Sequence, residues 1–311
     1  MQQDNSIILR MNNITKHFNL KAGIFSNSAK KVYALNGADI ELRKGQTLGI
    51  VGESGCGKTT LARCILGVIK PDTAETVKAP GKNRIQYIFQ DPYLSLNPKM
   101  QIKDIITEPM AAAGMISRQD IRKEAERLLE LVGLPADSAD KFPHEFSGGQ
   151  RQRICIGRAV SSRPDFIICD EPVSSLDVSI QSQILNLLND IQKELGISYI
   201  FIAHNIAVVL YMSDTVSVMY AGRIVESAPP EELYKNPKHP YTKLLLSVVP
   251  EIGKNKRIFE KKGTGEIPGL TELPSGCPFY ERCPVRSAEC AEKIPELKEI
   301  TPLHRCACHS A

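Results

Sequence analysis

The sequence has no long apolar run, no strong net charge and no leader-like start. No stretch of about 18 or more apolar residues occurs, so no segment has the length of a transmembrane helix. The first residues lack the charged-then-apolar pattern of a secretion signal, and we expect no export. The net charge is only +4, because 35 acidic residues are interspersed among 39 basic ones. This balance argues against nucleic-acid binding and leaves a globular protein of 311 residues.

The cysteine usage also argues against a disulfide framework. The count of nine is odd, and four cysteines lie singly inside apolar segments, at Cys56, Cys64, Cys155 and Cys169. This pattern is typical of a reducing cytoplasm. The other five cysteines lie within the last 35 residues, which indicates a separate local purpose.

Short apolar segments alternate with helical patterns along most of the chain. Strands are predicted at residues 47–52, 84–90, 166–170, 199–204 and 214–220, and an amphipathic helix at 180–195. The alternation predicts an α/β fold with a largely parallel sheet. Residues 92–157 read as an inserted helical subdomain. The composition turns charged and glycine-rich after residue 250, which predicts one domain at 1–250 and a C-terminal extension at 251–311.

A phosphate-binding loop, called the P-loop below, follows the first of these strands. It matches G-x-x-x-x-G-K-[ST], in which glycines let successive backbone N–H groups turn toward phosphate oxygens. Lys58 is placed to reach the β- and γ-phosphates of a nucleotide, Thr59 to hold Mg²⁺ and Thr60 to contact a further phosphate. The predicted nucleotide-binding residues are Gly52, Glu53, Ser54, Gly55, Cys56, Gly57, Lys58, Thr59 and Thr60.

Two adjacent carboxylates stand at the end of the apolar strand at 166–170. Burying Asp170 and Glu171 without partners would cost about 5 kcal/mol or more. A strand end that faces a Mg²⁺–nucleotide site removes that cost. We expect Asp170 to hold Mg²⁺ and Glu171 to polarise an attacking water.

A second anion-binding helix start is predicted at Ser147, Gly148, Gly149 and Gln150. One ATPase has no use for two separate phosphate sites. We therefore expect this segment to serve a nucleotide bound to a partner subunit.

These motifs occur in an order and spacing that resembles the ATP-binding subunits of ABC transporters, over about residues 7–250. The resemblance implies an ATP hydrolase with the P-loop NTPase fold. That fold consists of a RecA-like α/β core, an antiparallel β subdomain and the helical subdomain.

The same resemblance implies roles for four further residues. Gln90 would be a ligand of the Mg²⁺ site and link it to the transmembrane partner, and Asp177 would cross the dimer interface. His204 would contact the γ-phosphate. Phe18 would stack on the adenine ring of ATP, with Tyr33 as the rival for that role.

Two segments, DPYLSLNP at 91–98 and NPKHPYT at 236–242, narrow the resemblance to the peptide and nickel importers, and most closely to the second of their two ATPase subunits. This implies a heterodimer with another ATPase subunit, two transmembrane permease subunits and, indirectly, an extracytoplasmic peptide-binding protein. The chain would lie peripherally on the cytoplasmic face of the membrane. The alternatives are another cargo such as nickel, or a soluble ABC ATPase that acts on DNA or ribosomes.

The cysteines of the tail suggest a soft-metal site, although zinc-type C-x2-C pairs are absent. The tail is similar to an extension that holds an iron–sulfur cluster in some members of the subfamily. We expect Cys277, Cys283, Cys290 and Cys306 to bind a [4Fe–4S] cluster, with Cys308 spare. Zinc, or reduced thiols without metal, are the alternatives. Because these cysteines lie far from the P-loop in sequence, we expect a structural role for the cluster. Loss of a ligand should then lower the protease resistance of the tail, or assembly of the complex, more than it lowers ATP affinity.

Overall fold

The structure is a computed structural model that describes residues 6–20, 30–78, 85–249 and 275–311. The chain divides into two compact units. The first comprises Met1–Ile8, Leu42–Gln46 and Pro80–Ile202, and the second comprises Leu9–Glu41, Thr47–Ala79 and Ala203–Ala311. This division cuts across the predicted domain at 1–250 and groups the described part of the extension with the second unit. The expected linker after residue 250 lies outside the described residues.

The first unit contains three parallel strands. They are β5 (Ile85–Ile88), β6 (Phe166–Asp170) and β7 (Ser198–Ala203), with Ile85 opposite Phe166 and Phe166 opposite Ser198. Every residue of β6 and β7 is buried. Strands covered on both faces read as continuous apolar runs, and this is why the sequence predicts them well.

Helices make up most of the rest of the first unit. They are α2 (Pro92–Ser95), α3 (Ile102–Ala112), α4 (Ile121–Leu131), α5 (Gly148–Ser161) and α6 (Val178–Leu195), with 3₁₀ turns at Ala136–Asp140 and Pro143–Glu145. Helices α3 and α5 pack closely, because a Cβ atom on Gly157 would lie 2.7 Å from Ile106. Helix α6 buries Ile184, Leu188 and its neighbours on one face, as predicted.

The second unit carries a three-stranded sheet and a mixed set of further strands. The three-stranded sheet has the order β2–β1–β4, and its strands are β1 (Ile7–Leu20), β2 (Lys30–Arg43) and β4 (Thr73–Lys78). The other strands are β3 (Thr47–Val51), β8 (Thr215–Tyr220), β9 (Arg223–Ala228), β10 (Lys298–Thr301) and β11 (His304–Cys306). Only β3 and β8 pair in parallel in this set; β8–β9, β9–β11 and β11–β10 are antiparallel.

The helices of the second unit are short. They are α1 (Lys58–Leu66), α7 (Ile206–Met212), α8 (Pro230–Lys235), α9 (Pro240–Ser247) and α10 (Ala288–Glu292), with a 3₁₀ turn at Tyr280–Arg282. Across all the described ranges, no helix is both long enough and apolar enough to cross a bilayer.

Residues 275–311, called the cap below, are attached through a buried carboxylate. Strand β11 pairs with β9, which places the imidazole of His304 2.8 Å from the Glu226 carboxylate, and both residues are fully buried. The backbone N–H groups of Lys238 and His239 donate to the same carboxylate at 2.7 and 2.9 Å. Glu226 therefore joins strand β9, the start of α9 and the cap.

We predict that Glu226→Ala destabilises the protein by about 3 kcal/mol or more, because two backbone donors and one imidazole lose a buried acceptor. The measurement is the urea midpoint of unfolding. The matched control is Glu231→Gln, which alters an exposed carboxylate paired with Lys235 and should leave the midpoint unchanged. Equal midpoints for the two variants would contradict the role given to Glu226.

Candidate functional site

The P-loop connects strand β3 to helix α1, as predicted. A Cβ atom on Gly52 would lie 2.2 Å from the carbonyl oxygen of Met219, and one on Gly57 would lie 2.3 Å from that of Ala34. Gly55 has a φ of +81°, in the left-handed region that favours glycine. Close backbone approach therefore requires two of the glycines, and a turn requires the third.

The ammonium group of Lys58 lies against the P-loop. Its Nζ donates to the carbonyl oxygens of Gly52 at 2.8 Å and Glu53 at 2.9 Å, and the side chain is buried. Thr59 and Thr60 follow in the first turn of α1, and Ser54 is exposed in the loop. Burial raises the pKa of the Cys56 thiol, so this P-loop cysteine stays protonated.

Glu53 is held by two residues outside the P-loop. Its backbone N–H donates to the hydroxyl of Tyr241 at 2.9 Å, and its carboxylate accepts two hydrogen bonds of 2.8 Å from Arg282. Neither partner was among the predicted site residues. Both lie in segments that the sequence singles out, Tyr241 in NPKHPYT and Arg282 directly before Cys283.

Asp170 ends strand β6 with its side chain buried. Its Oδ2 accepts a 2.6 Å hydrogen bond from the hydroxyl of Tyr87, while its buried Oδ1 has no hydrogen-bond partner in the described part of the chain. A buried carboxylate oxygen without a partner is costly, and Mg²⁺ prefers oxygen ligands. Asp170 therefore fits the predicted Mg²⁺ role. Tyr87, which the sequence analysis missed, pairs with Ile168 on the neighbouring strand.

The side chains of Glu171 and Gln90, two of the predicted site residues, are in contact. The Gln90 amide donates to Oε2 of Glu171 at 3.2 Å. Glu171 has a positive φ of 51° and donates its backbone N–H to the carbonyl of Ile202 at 2.9 Å. A non-glycine residue in the left-handed region is costly, which indicates that the surrounding structure holds the backbone at Glu171.

Ser147 and Gln150 form a capping box at the start of helix α5. The amide of Gln150 accepts from the Ser147 N–H at 2.9 Å, and the Ser147 hydroxyl accepts from the Gln150 N–H at 3.4 Å. A Cβ atom on Gly149 would lie 2.6 Å from Ile180, whereas one on Gly148 would have ordinary contacts. Packing against α6 thus gives a structural reason for Gly149, which the sequence analysis assigned to phosphate binding alone.

The other predicted residues lie at element ends or on exposed faces. Asp177 is exposed and directly precedes α6, beside Val178, which is 78% exposed. His204 follows β7 and is exposed. Phe18 is exposed on β1, with the ammonium of Lys16 over its ring. The second unit contains the P-loop, Phe18 and His204, whereas the first contains the two carboxylates, Gln90, the start of α5 and Asp177.

Four thiols line one small cavity between the cap and the start of α9, called the thiol cavity below. They belong to Cys277, Cys283, Cys290 and Cys308. Burial raises the pKa of Cys277 to about 11 and also raises that of Cys283. A metal that binds these thiols must therefore displace protons.

Cys306, the expected fourth ligand, lies instead on strand β11, opposite Glu226 of β9. Its place at the cavity is taken by Cys308, which was expected to be spare. The physical reason is the pairing of the cap with β9, which continues to a hydrogen bond from the Ala307 N–H to the Val225 carbonyl at 2.8 Å. This pairing keeps Cys306 in the sheet, and the chain turns to the cavity after it.

As they stand, the described side chains form no ready-made metal site. No group of three or more Cys, His, Asp or Glu residues within those ranges is arranged to hold a metal ion. The thiol cavity supplies the donor chemistry of an iron–sulfur site, but its thiols would have to turn toward a common centre.

Two family patterns match the sequence. The ABC transporter family matches residues 35–174, a range that contains the P-loop, Gln90 and both carboxylates. The family described as the oligopeptide/dipeptide transporter C-terminal region matches residues 225–290.

Curated relatives match almost the full chain. The oligopeptide transport ATP-binding protein AppF of Bacillus subtilis is 43% identical, over 97% of both chains. The dipeptide transport ATP-binding protein DppF of Haemophilus influenzae is 41% identical, over 98% of this chain and 97% of its own. The oligopeptide transport ATP-binding protein OppF of Salmonella typhimurium is 45% identical, over 95% of this chain and 94% of its own.

Solved structures agree on the fold. The cbiO1 protein of Clostridium perfringens, part of an ABC transporter complex, has a TM-score of 0.62 at 28% identity, over 74% of this chain and 91% of its own. A dimeric bacterial ABC transporter cassette has a TM-score of 0.61 at 25% identity, over 72% of this chain and 99% of its own. The fold is that of an ABC-type P-loop ATPase, and the chain belongs to the family of oligopeptide and dipeptide ABC transporter ATP-binding proteins.

Proposed function

We propose that this protein binds and hydrolyses ATP to energise an importer of di- or oligopeptides. The observation that carries the proposal is the identity of 41–45%, over nearly the whole chain, with peptide transport ATP-binding proteins. These relatives also favour peptides over nickel as the cargo, and a transporter subunit over a soluble ATPase.

In this proposal the P-loop binds the phosphates of ATP. Its backbone N–H groups and the N-terminus of α1 attract the negative charge, and Lys58 contributes a point charge. The carbonyl oxygens that Lys58 now contacts are neutral, so a phosphate is the stronger partner. Ser54, Cys56 and the three glycines shape the loop, and Phe18 offers a ring for the adenine.

Asp170, Thr59 and Gln90 are the residues that would hold Mg²⁺, which neutralises phosphate charge when bound. The unpartnered Oδ1 of Asp170 supports this assignment. Glu171 takes the proton of the attacking water, and its contact with Gln90 supports a role for Gln90 in directing that carboxylate. His204 contacts the γ-phosphate.

A second ATPase subunit completes each ATP site in this proposal. Ser147, Gly148, Gly149 and Gln150 would face the nucleotide of the partner, and Asp177 would cross the interface. The exposed Ser147, Asp177 and Val178 support an interface here, as does the dimeric form named for a similar solved cassette. The remaining partners are two permease subunits and a peptide-binding protein, with the chain on the cytoplasmic face of the membrane.

We further propose that the thiol cavity holds a [4Fe–4S] cluster, with Cys308 replacing Cys306 as the fourth ligand. Four cysteines around one cavity supply the ligand set that such clusters use. The cap buries little apolar surface of its own, so a metal core would stabilise it.

Glu171→Gln should retain ATP affinity and lower turnover about 100-fold or more, because an amide cannot accept the proton of water.

Lys58→Ala should weaken ATP binding about tenfold or more, because a charge-assisted contact is lost. Calorimetry and phosphate release on the assembled transporter measure the two effects. The control is Glu130→Gln, an exposed carboxylate on α4. Wild-type turnover in Glu171→Gln would contradict its role.

Turnover should depend on Ser147 of a neighbouring subunit. Ser147→Asp keeps a good helix cap but places a negative charge where a phosphate is expected, so it should abolish the stimulation that follows assembly with a second ATPase subunit. The chain alone should still bind ADP. Gln119→Asp adds the same charge on an exposed residue beside the start of α4 and serves as the control. Full turnover by a purified monomer would disprove the shared site.

The two neighbouring cysteines allow a test of the cluster. Anaerobically purified protein should carry about four irons per chain. Cys308→Ser should lose iron, and Cys306→Ser should retain it. If the protein contains zinc without iron or sulfide, the metal at the thiol cavity is zinc and the cluster assignment is wrong. If it contains no metal, the cap holds reduced thiols.

A further inference from the structure

Glu53 of the P-loop is held at every polar group. Its N–H donates to Tyr241, its carbonyl accepts from Lys58, and its carboxylate accepts two bonds from Arg282. Two of these three partners lie outside the P-loop. The position of the loop therefore depends on more than its own glycines.

The contact with Arg282 has the geometry of a strong ion pair. Both hydrogen bonds are 2.8 Å long and form the planar fork that matches a carboxylate. The Arg282 side chain is 7% exposed and that of Glu53 31%. Hydrogen bonds to Glu53 raise the pKa of Arg282 further above its ordinary value, so the guanidinium stays charged. Screening by solvent and salt is weak at such a site.

Aromatic rings fix the direction of the guanidinium. It lies 5.7 Å from the ring centre of Tyr220 and 5.6 Å from that of Phe279. Tyr220, Tyr241 and Phe279 are fully buried and contact one another, with ring centres 4.7–5.5 Å apart. The ion pair is therefore directed by packing as well as by charge.

Arg282 lies in the chain between residues that line the thiol cavity. Phe279, Tyr280 and Cys283 line the cavity. The Arg282 N–H donates to the Phe279 carbonyl at 3.1 Å, and that of Cys283 to Tyr280 at 3.2 Å. This one short turn therefore contains residues that line the cavity together with the arginine that contacts the P-loop.

We propose that Arg282 is a positioning residue for the P-loop, and that through it the state of the cysteine-rich cap sets the nucleotide affinity of the protein. The proposal rests on the proposed ATP function and adds a control of the same site. It corrects the expectation that distance in sequence separates the cap from the P-loop, since the two residues of the ion pair are 229 positions apart and in direct contact.

The first test removes the ion pair. ADP with Mg²⁺ is the probe, because it engages the P-loop and is not hydrolysed. Arg282→Met should raise the Kd of ADP about tenfold, within the range usual for coupled sites. Deuterium uptake of the peptide that covers the P-loop should rise as well. Arg305→Met is the matched control, because Arg305 is an exposed arginine of the cap on strand β11.

A double variant keeps the test valid if Arg282→Met does not fold. Glu53→Gln with Arg282→Met leaves no unpaired buried charge and still lacks the fork. The Kd of ADP for this double variant should equal that of whichever single variant, Glu53→Gln or Arg282→Met, binds ADP less tightly. The reason is that the two residues act as one unit. A folded double variant with wild-type ADP affinity would overturn the proposal.

The second test disturbs the cap without touching the P-loop. A Cβ atom on Gly276 would lie 2.3 Å from the Cys290 carbonyl oxygen. Gly276→Ala should therefore push the segment that leads into the Tyr280–Arg282 turn away from α10. The Kd of ADP should rise, and it should rise no further in an Arg282→Met background. Wild-type affinity in Gly276→Ala would overturn the transmission from the cap. If the wild-type protein binds no nucleotide, the proposed function itself fails, which is a distinct outcome.

Discussion

The second unit depends on the hydrogen bonds that the buried carboxylate of Glu226 accepts. This carboxylate accepts hydrogen bonds from the start of α9 and from the imidazole of His304, so one side chain joins two segments to strand β9. Helix α9 then places Tyr241 at the P-loop, and the attached cap places Arg282 there. The P-loop is thus held by residues whose own positions follow from one fully buried acid.

The P-loop and the end of strand β6 differ in whether their charged groups already have partners. Around the P-loop, each charged group already has a partner: Lys58 has carbonyl oxygens and Glu53 has Arg282. At the end of β6, Asp170 has only one oxygen engaged, by Tyr87. In the proposed function, Mg²⁺ would be the missing partner of Asp170, whereas phosphate would compete with the carbonyl oxygens for Lys58.

The sequence predicted the parts of the fold that are buried on both faces or that carry a phosphate-binding pattern. Strand β6 has the predicted bounds, and the predicted helix at 180–195 begins two residues earlier, at Val178. The resemblance implied an antiparallel β subdomain, but the positions of the long strands β1 and β2 were not predicted, because only part of each is buried and their apolar residues form no continuous run.

Other features of the site depend on tertiary contacts that no local pattern encodes. Arg282 meets Glu53 across most of the chain length, and Cys308 rather than Cys306 reaches the cavity because β11 pairs with β9. Gly148 and Gly149 at the start of α5 could be located from the sequence, but the packing of Gly149 against Ile180 could not be predicted.

The attachment of the cap also closes a sheet edge. Strand β11 covers the backbone groups that β9 would otherwise leave unpaired, and β10 becomes the outermost strand on that side. Strand β10 has only four residues, and Lys298 and Glu299 on it are exposed. Short, charged edge strands are poor templates for pairing with another chain. The cap therefore protects this edge of the described sheet from edge-to-edge aggregation.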